Sequence, residues 1–225
     1  FVHYGKVISG SIKVNDIVEL PAESFHNHFV RVLNTDSADD DYHLKYIAYD
    51  SSRGRGYWKE TVARDSSPGL DAATMPYQLE NTGALTFAFN PIPWKAREAG
   101  DDVTSPLPSF IGFPVQASFF YSNRFGLLSQ DNVIFGVSND TFNFFIKSAL
   151  TQVDSDPIDL NVSSVRPVTL SDVLPSPQGL LLFSARQQFQ VYSTDASILT
   201  PTTAVIRSLS NYEMATDIAP VDVGI

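Results

Sequence analysis

His26 and His28 flank Asn27, and on a β-strand that spacing would project two imidazoles from one face, as a shared metal ion requires. A third ligand would have to come from His3 or His43, and nothing in the sequence ties either to the pair. Exposed or hydrogen-bonded histidines are the plainer expectation. Asp101 with Asp102, Asp154 with Asp156 and Asp159, and Glu213 with Asp217 offer paired carboxylates of the kind glycosidases use, where their separation sets the stereochemical outcome. At 25 acids in 225 residues such pairs arise by chance, and no local motif singles one out. They read as turn and cap residues beside Pro106 and Pro157.

Residues 36–41 (DSADDD) have the charge of a calcium loop but lack the glycine and distal glutamate of an EF-hand, so a solvated hairpin tip is expected. Arg53, Arg55, Tyr57 and Trp58 surround a Gly-Arg-Gly step and could stack on bases or sugars. Neither a Walker lysine nor a following helix accompanies them, which places the arginines in a hairpin loop and Trp58 in the core. Serines are plentiful without a Gly-X-Ser-X-Gly elbow. No catalytic, cofactor-binding or metal-binding residue is assigned, and the chain is not expected to be an enzyme.

The elements that must position these residues are strands. Residues 29–33 (FVRVL), 42–49 (YHLKYIAY), 56–62 (GYWKETV) and 84–89 (ALTFAF) alternate or cluster β-branched and aromatic residues between turn formers. Residues 116–121, 132–136, 179–184, 188–192 and 203–207 form a second set, with Ala185-Arg186-Gln187 as a short hairpin connection. Residues 71–75 and 142–150 are the modest helix candidates, the latter with a Phe-rich start equally suited to a strand. Pro91, Pro93, Pro106, Pro108 and Pro114 mark a long irregular section over residues 90–113, a boundary or surface crossover. The fold expected is all-β, with many short antiparallel strands and long Pro-rich loops.

Apolar residues make up 43% and charged residues 18%, a globular balance, and 16 Phe against 2 Met predict an aromatic core. The length suits one large all-β domain or two smaller ones. Opening on Phe1 without methionine points to a segment of a longer protein. Residues 1–8 lack the features of a signal peptide, and no apolar run approaches the roughly 20 residues that span a bilayer, so solubility without membrane insertion is expected. The lack of cysteine removes disulfides and thiolate chemistry together. A net charge of −10 argues against gripping phosphates, although a repulsive lining would suit a surface past which nucleic acid slides.

The window from Asn123 to Phe145 (NRFGLLSQDNVIFGVSNDTFNFF) joins an Asn-Arg turn, two apolar runs and a phenylalanine cluster. With GYWKETV (56–62), ATMPYQL (73–79), PLPSFIG (106–112), FFYSNRFGLLSQDNVIFG (119–136), DTFNFF (140–145), DSDPIDLNVSS (154–164), LLLFSARQQFQV (180–191), LTPTTAVI (199–206) and SNYEMATDIAPVDVG (210–224), the chain resembles the tail tubular protein B family, the nozzle proteins of short-tailed phages related to T7. The order of the segments matches the family, and they cover most of the chain from about residue 42, while residues 1–33 show little that can be placed. Phe125 stands where the family usually has leucine, and Gln130-Asp131 replaces a short acidic or Gly-containing pair.

The resemblance implies a virion tail component without enzymatic activity. Residues 34–225 would form part of a β-propeller-like nozzle body, while residues 1–33 are expected to be a strand-rich N-terminal segment that the resemblance does not place. It also implies a homohexameric ring that meets the tail adaptor and tail fibre proteins and lets double-stranded DNA pass without sequence-specific binding. Six copies would bring about sixty net negative charges to that ring, acting locally because salt screens them beyond roughly 10 Å. The rival expectations are a carbohydrate-active enzyme, from the acid pairs and aromatics, and a glycan- or receptor-binding module carried by surface aromatics such as Tyr57 or Trp94.

Overall fold

The computed structural model describes residues 12–33, 41–195 and 198–223. Fifteen strands and one 3-10 turn account for the regular structure among them, and the chain is all-β. His3 and residues 36–40 of the acidic run lie outside the described residues.

Two compact units alternate along the chain. The first comprises the described residues up to 68 with 97–106 and 146–152, and the second residues 69–96, 107–145 and those from 153 on. Within the Pro-rich section the chain enters the first unit after Ala96 and leaves it after Pro106.

In the first unit, β1 (Ile12–Val14), β2 (Glu23–Phe25), β3 (Phe29–Val32), β4 (Tyr42–Ala48) and β5 (Arg53–Thr61) form one sheet in the order β1-β3-β4-β5-β2. All pairs are antiparallel except β1 with β3, which run parallel. The 3-10 turn Ile17–Glu19 lies between β1 and β2, and the Asp16 carboxylate caps it by accepting from the Val18 amide. Leu44, Tyr46 and Ala48 alternate into the core beside Phe29, Val30 and Val32. Buried Tyr46 carries its hydroxyl to the carbonyls of Ala22 and Gly54 at 2.9 and 2.8 Å. Trp58 is half-buried, donating to the Pro21 carbonyl at 3.1 Å and packing edge-on to Tyr46.

The second unit holds two four-stranded antiparallel meanders and a lone hairpin. Strands β8 (Val115–Tyr121), β9 (Arg124–Ser129), β10 (Asn132–Phe135) and β11 (Ile158–Asn161) make one meander, and β12 (Leu170–Ser176), β13 (Gly179–Ser184), β14 (Gln188–Ser193) and β15 (Ala204–Ser210) the other. Phe119, Leu128, Val133, Phe135 and Ile158 of the first meander share a core with Leu170, Leu180, Leu182, Phe189 and Val191 of the second. The opposite face of the first meander, with Leu127 and Ile134, is covered by Met75, Phe110 and Phe144. Being sealed on both sides, β9 and β10 read in sequence as near-continuous apolar runs rather than alternating ones. Gly126 stands opposite Phe119, whose ring lies 2.2 Å from where a Cβ would be. Glycine is required there by that close approach. The hairpin consists of β6 (Tyr77–Gly83) and β7 (Thr86–Pro91).

Both helix candidates are corrected. Residues 71–75 form a turn in which the Asp71 carboxylate accepts from the Ala73 amide, a local bond that competes with helix. Residues 142–150 run irregularly because Phe144 and Phe145 are drawn into the core. The expected β13–β14 hairpin is present, with Phe183 paired to Gln188 across Ala185-Arg186-Gln187.

Candidate functional site

The histidine pair does not share a strand face. Asn27 holds φ 64 and the His28 amide donates to the Phe25 carbonyl at 3.0 Å, so His26 and His28 flank a turn between β2 and β3. His28 Nδ1 and Ser24 Oγ share a hydrogen bond at 2.5 Å, and His43 stacks on Phe29 at 5.3 Å. Burial, with Arg64 near one ring and Arg31 near the other, holds both imidazoles below the ordinary histidine range. Asp101, Asp41 and Asp65 offset this only in part at His43. Among the described residues no group of three His, Cys, Asp or Glu is placed to hold a metal ion.

The acid pairs separate into local roles. Burial raises the Asp101 carboxyl, but the amides of Thr104 and Val103 and the Thr104 hydroxyl outweigh it and hold the group below the usual range. Asp102 pairs with the buried Arg97 at 2.7 Å. Asp156 accepts from the Val153 amide, and Asp159 binds the amide and hydroxyl of Ser109 at 2.8 and 2.7 Å. Asp41, at the end of the acidic run, is buried against Arg31 at 2.6 Å. Glu213 and Asp217 are exposed, Glu213 lying 4.0 Å from Arg186 along an open groove of about 920 Å³. No two of these carboxylates converge on a cleft, as glycoside hydrolysis requires.

Arg53 and Arg55 lie in β5 rather than in a hairpin loop, a further correction. Arg53 sits 4.9 Å over the Phe25 ring, and exposed Arg55 lies 3.7 Å from Glu23. Exposed Tyr57 is 6.2 Å from Tyr49, and Trp94 packs against Phe142 and Phe144.

Arg124 is the polar residue whose role the motifs did not reveal. Ser122 and Asn123 hold φ 50 and 58, as a two-residue hairpin turn demands, which sets Arg124 opposite Tyr121 at the start of β9. There it is 1% exposed, and its guanidinium donates to the carbonyls of Gly136, Ser155 and Asp156 at 2.9, 3.2 and 2.7 Å and to those of Asp154 and Leu199. Burial pulls the group below its ordinary range, countered by Asp156 and Asp154. The arrangement clamps the 153–157 loop to the meander. Its sequence signal is an arginine just after a Ser-Asn turn and before an apolar run, where a surface cation would be out of place.

The surface least explained by the chain itself is the β6–β7 hairpin. Cross-strand pairing puts Tyr77 with Pro91, Leu79 with Phe89 and Asn81 with Phe87 on one face, leaving Gln78, Glu80, Ala88 and Asn90 on the other. Tyr77, Leu79, Leu85, Phe87 and Phe89 are 44 to 95% exposed, and the Tyr77 and Phe89 rings stack at 5.1 Å. Beside the base of the hairpin lies an open groove of about 430 Å³ with Tyr77, Ile92, Trp94, Val115 and Phe125 in its walls. None of its lining residues is charged.

Stacked meanders and an exposed two-stranded hairpin define a multi-sheet all-β protein. The chain is a member of the bacteriophage nozzle protein family, whose model matches residues 6–225. The match takes in most of the N-terminal stretch in which no resemblance could be placed. A tail tubular protein, gp12, of Escherichia phage T7 is 29% identical over 206 residues, which cover 92% of this chain and 25% of that protein. The chain thus spans about a quarter of the length of the curated relative it matches.

Proposed function

We propose that this segment is a structural part of a virion tail nozzle, contributing to the wall of a ring-shaped conduit through which double-stranded DNA leaves the capsid. The observation that carries the reading is the nozzle-family match over residues 6–225. The role is non-enzymatic, and the ring is a homohexamer that meets the tail adaptor and tail fibre proteins.

The described sheets from residue 34 onward belong to a propeller-like body, which β3 joins through its pairing with β4. Supporting this, β8–β11 and β12–β15 are successive four-stranded antiparallel meanders packed over one core, as neighbouring propeller blades are. The net charge of −10 per copy suits a lumen that repels phosphates and lets DNA pass without sticking.

Electron microscopy of the purified full-length protein tests the proposal. Rings with an open axis, alone or with the adaptor, are the expected result. A monodisperse monomer that turns over a glycan would overturn it.

A further inference from the structure

Cross-strand register sorts the charges of the five-stranded sheet onto one face. Lys13 stands beside Arg31, Lys45 opposite Lys59, and Arg53 and Arg55 opposite Phe25 and Glu23. Alternation along β3, β4 and β5 puts all six of these cations on the face away from Leu44 and Tyr46. Glu23 is the single carboxylate that the five strands place there, since Glu60 pairs with Leu44 on the other face. In a chain of net charge −10 this is a local reversal of sign. Asp41 takes up Arg31 at one end of the sheet, so the open part of the face centres on Lys45, Lys59, Arg55 and Arg53.

The geometry asks for an anion. Lys45 and Lys59 stand directly across an antiparallel pair, a placement that destabilises like charges. Among the described residues no carboxylate lies within ion-pair distance of either. An anion seated between the two ammonium groups would offset their repulsion. Along β5, Arg53, Arg55, Tyr57 and Lys59 are all exposed and recur every ~7 Å, with Tyr57 6.2 Å from exposed Tyr49 on β4.

Composition then selects the kind of anion. Arg and Tyr suit protein and nucleic-acid contacts alike, but Lys is depleted where protein surfaces close on one another, and here a lysine pair stands in the middle of the face. A charged face is content in water and needs no cover, whether from another copy or from more of the same protein. A row of Lys and Arg on one face is instead the footprint of a phosphate backbone. From Arg53 to Lys59 the row runs about 20 Å, over which a duplex presents about a dozen phosphates.

We infer that the outer face of the β1–β5 sheet, through Lys45, Lys59, Arg53 and Arg55, contacts the phosphate backbone of double-stranded DNA. Every phosphate offers the same partner, so the contact carries no sequence preference and lets the duplex slide. The rest of the chain repels phosphates, and this face is the exception that keeps a passing duplex within reach. The inference rests on the conduit reading for the DNA itself and names the surface that meets it.

Fluorescence anisotropy of a short labelled duplex of mixed sequence, titrated with the full-length protein, tests this. Four phosphate contacts predict that affinity falls about a hundredfold between ~50 and ~200 mM salt. Lys45→Gln with Lys59→Gln should weaken binding roughly tenfold at the lower salt and leave only about a tenfold salt effect, while the double change to Arg stays within about twofold of the parent. Arg166→Gln with Arg186→Gln removes the same charge from another sheet and should change affinity less than about twofold. A parent that does not bind the duplex overturns the inference, as do equal losses in the two Gln pairs. If the Lys45/Lys59 pair of changes abolishes ring assembly and the parent ignores DNA, the face is a protein contact and the inference falls while the conduit reading stands. Duplex binding as expected by protein that never forms a ring would leave this face assigned and sink the conduit reading.

Discussion

Leu128 and Leu79 both sit on antiparallel hairpins of one unit, each beside a phenylalanine or a second leucine, yet Leu128 is sealed and Leu79 lies open to water. The β8–β9 hairpin is flanked by β10 and backed by β12–β15, so its apolar face removes water from a second sheet. Among the described residues the β6–β7 hairpin has no third strand, and its apolar face stays exposed. A two-stranded ribbon alone is marginal in water, and among the described residues this one keeps its apolar side chains exposed. Strand chemistry is the same in both places, and what differs is whether the partner is encoded nearby.

The contrast is open to direct test. The largest effect is expected from Arg124→Met, which strands five carbonyls and should cost about 3–5 kcal/mol, since each buried acceptor left without a donor costs about 1–3 kcal/mol. Hydrogen exchange at the β9 and β10 amides of the full-length protein would register it. Leu128→Ala should cost about 2–5 kcal/mol by the same measurement, through lost burial and the cavity left behind. Gly126→Ala drives a methyl into the Phe119 ring and should cost about 1–3 kcal/mol, with a smaller change if Phe119 is first cut to leucine.

A smaller effect separates the first unit from the second. His28 and His43 have folded values below their unfolded ones, so the unfolded chain binds protons more readily, and the stabilisation present above the ordinary histidine value is lost as pH falls. Exchange protection of β3 and β4 should decline between about pH 7 and pH 5, and His43→Phe should flatten the decline. A profile as steep in that variant as in the parent would assign the pH response elsewhere. The smallest effect is Leu79→Ala in unassembled protein, within about 0.5 kcal/mol, because the side chain is already solvated. A loss rivalling that of Leu128→Ala would mean the hairpin is covered within its own chain.

Sequence periodicity finds β3, β4, β5, β7, β8, β10, β13, β14 and β15 because each carries alternating or clustered apolar residues between turn formers. It passes over β6 (YQLENTG), whose polar content and open surroundings give no burial signal, and β12, where Pro175 reads as a break but is tolerated on an edge strand. β1 and β2, of three residues each, are too short to show a period, and β11 (IDLN) is half polar. The parallel β1–β3 pair needs long-range pairing that no local pattern specifies. Of the candidate sites, the acid pairs are legible as turn formers, and Asp101 and Asp156 take those roles. The histidine spacing misleads because Asn27 adopts a left-handed turn that interrupts the strand. The family resemblance is legible because its segments keep their order, whereas the exposure of Phe87 and Phe89 depends on which strands stand beside them.

Arg124 also bears on how the second unit responds to ionic strength. Exposed pairs such as Arg186 with Glu213 fade as dissolved ions crowd around them. The guanidinium of Arg124 is tied to neutral oxygens in a place counterions do not enter, so dilute and concentrated media should leave its hold on the 153–157 loop alike. Whatever brine or fresh water surrounds the particle, that knot stays tied.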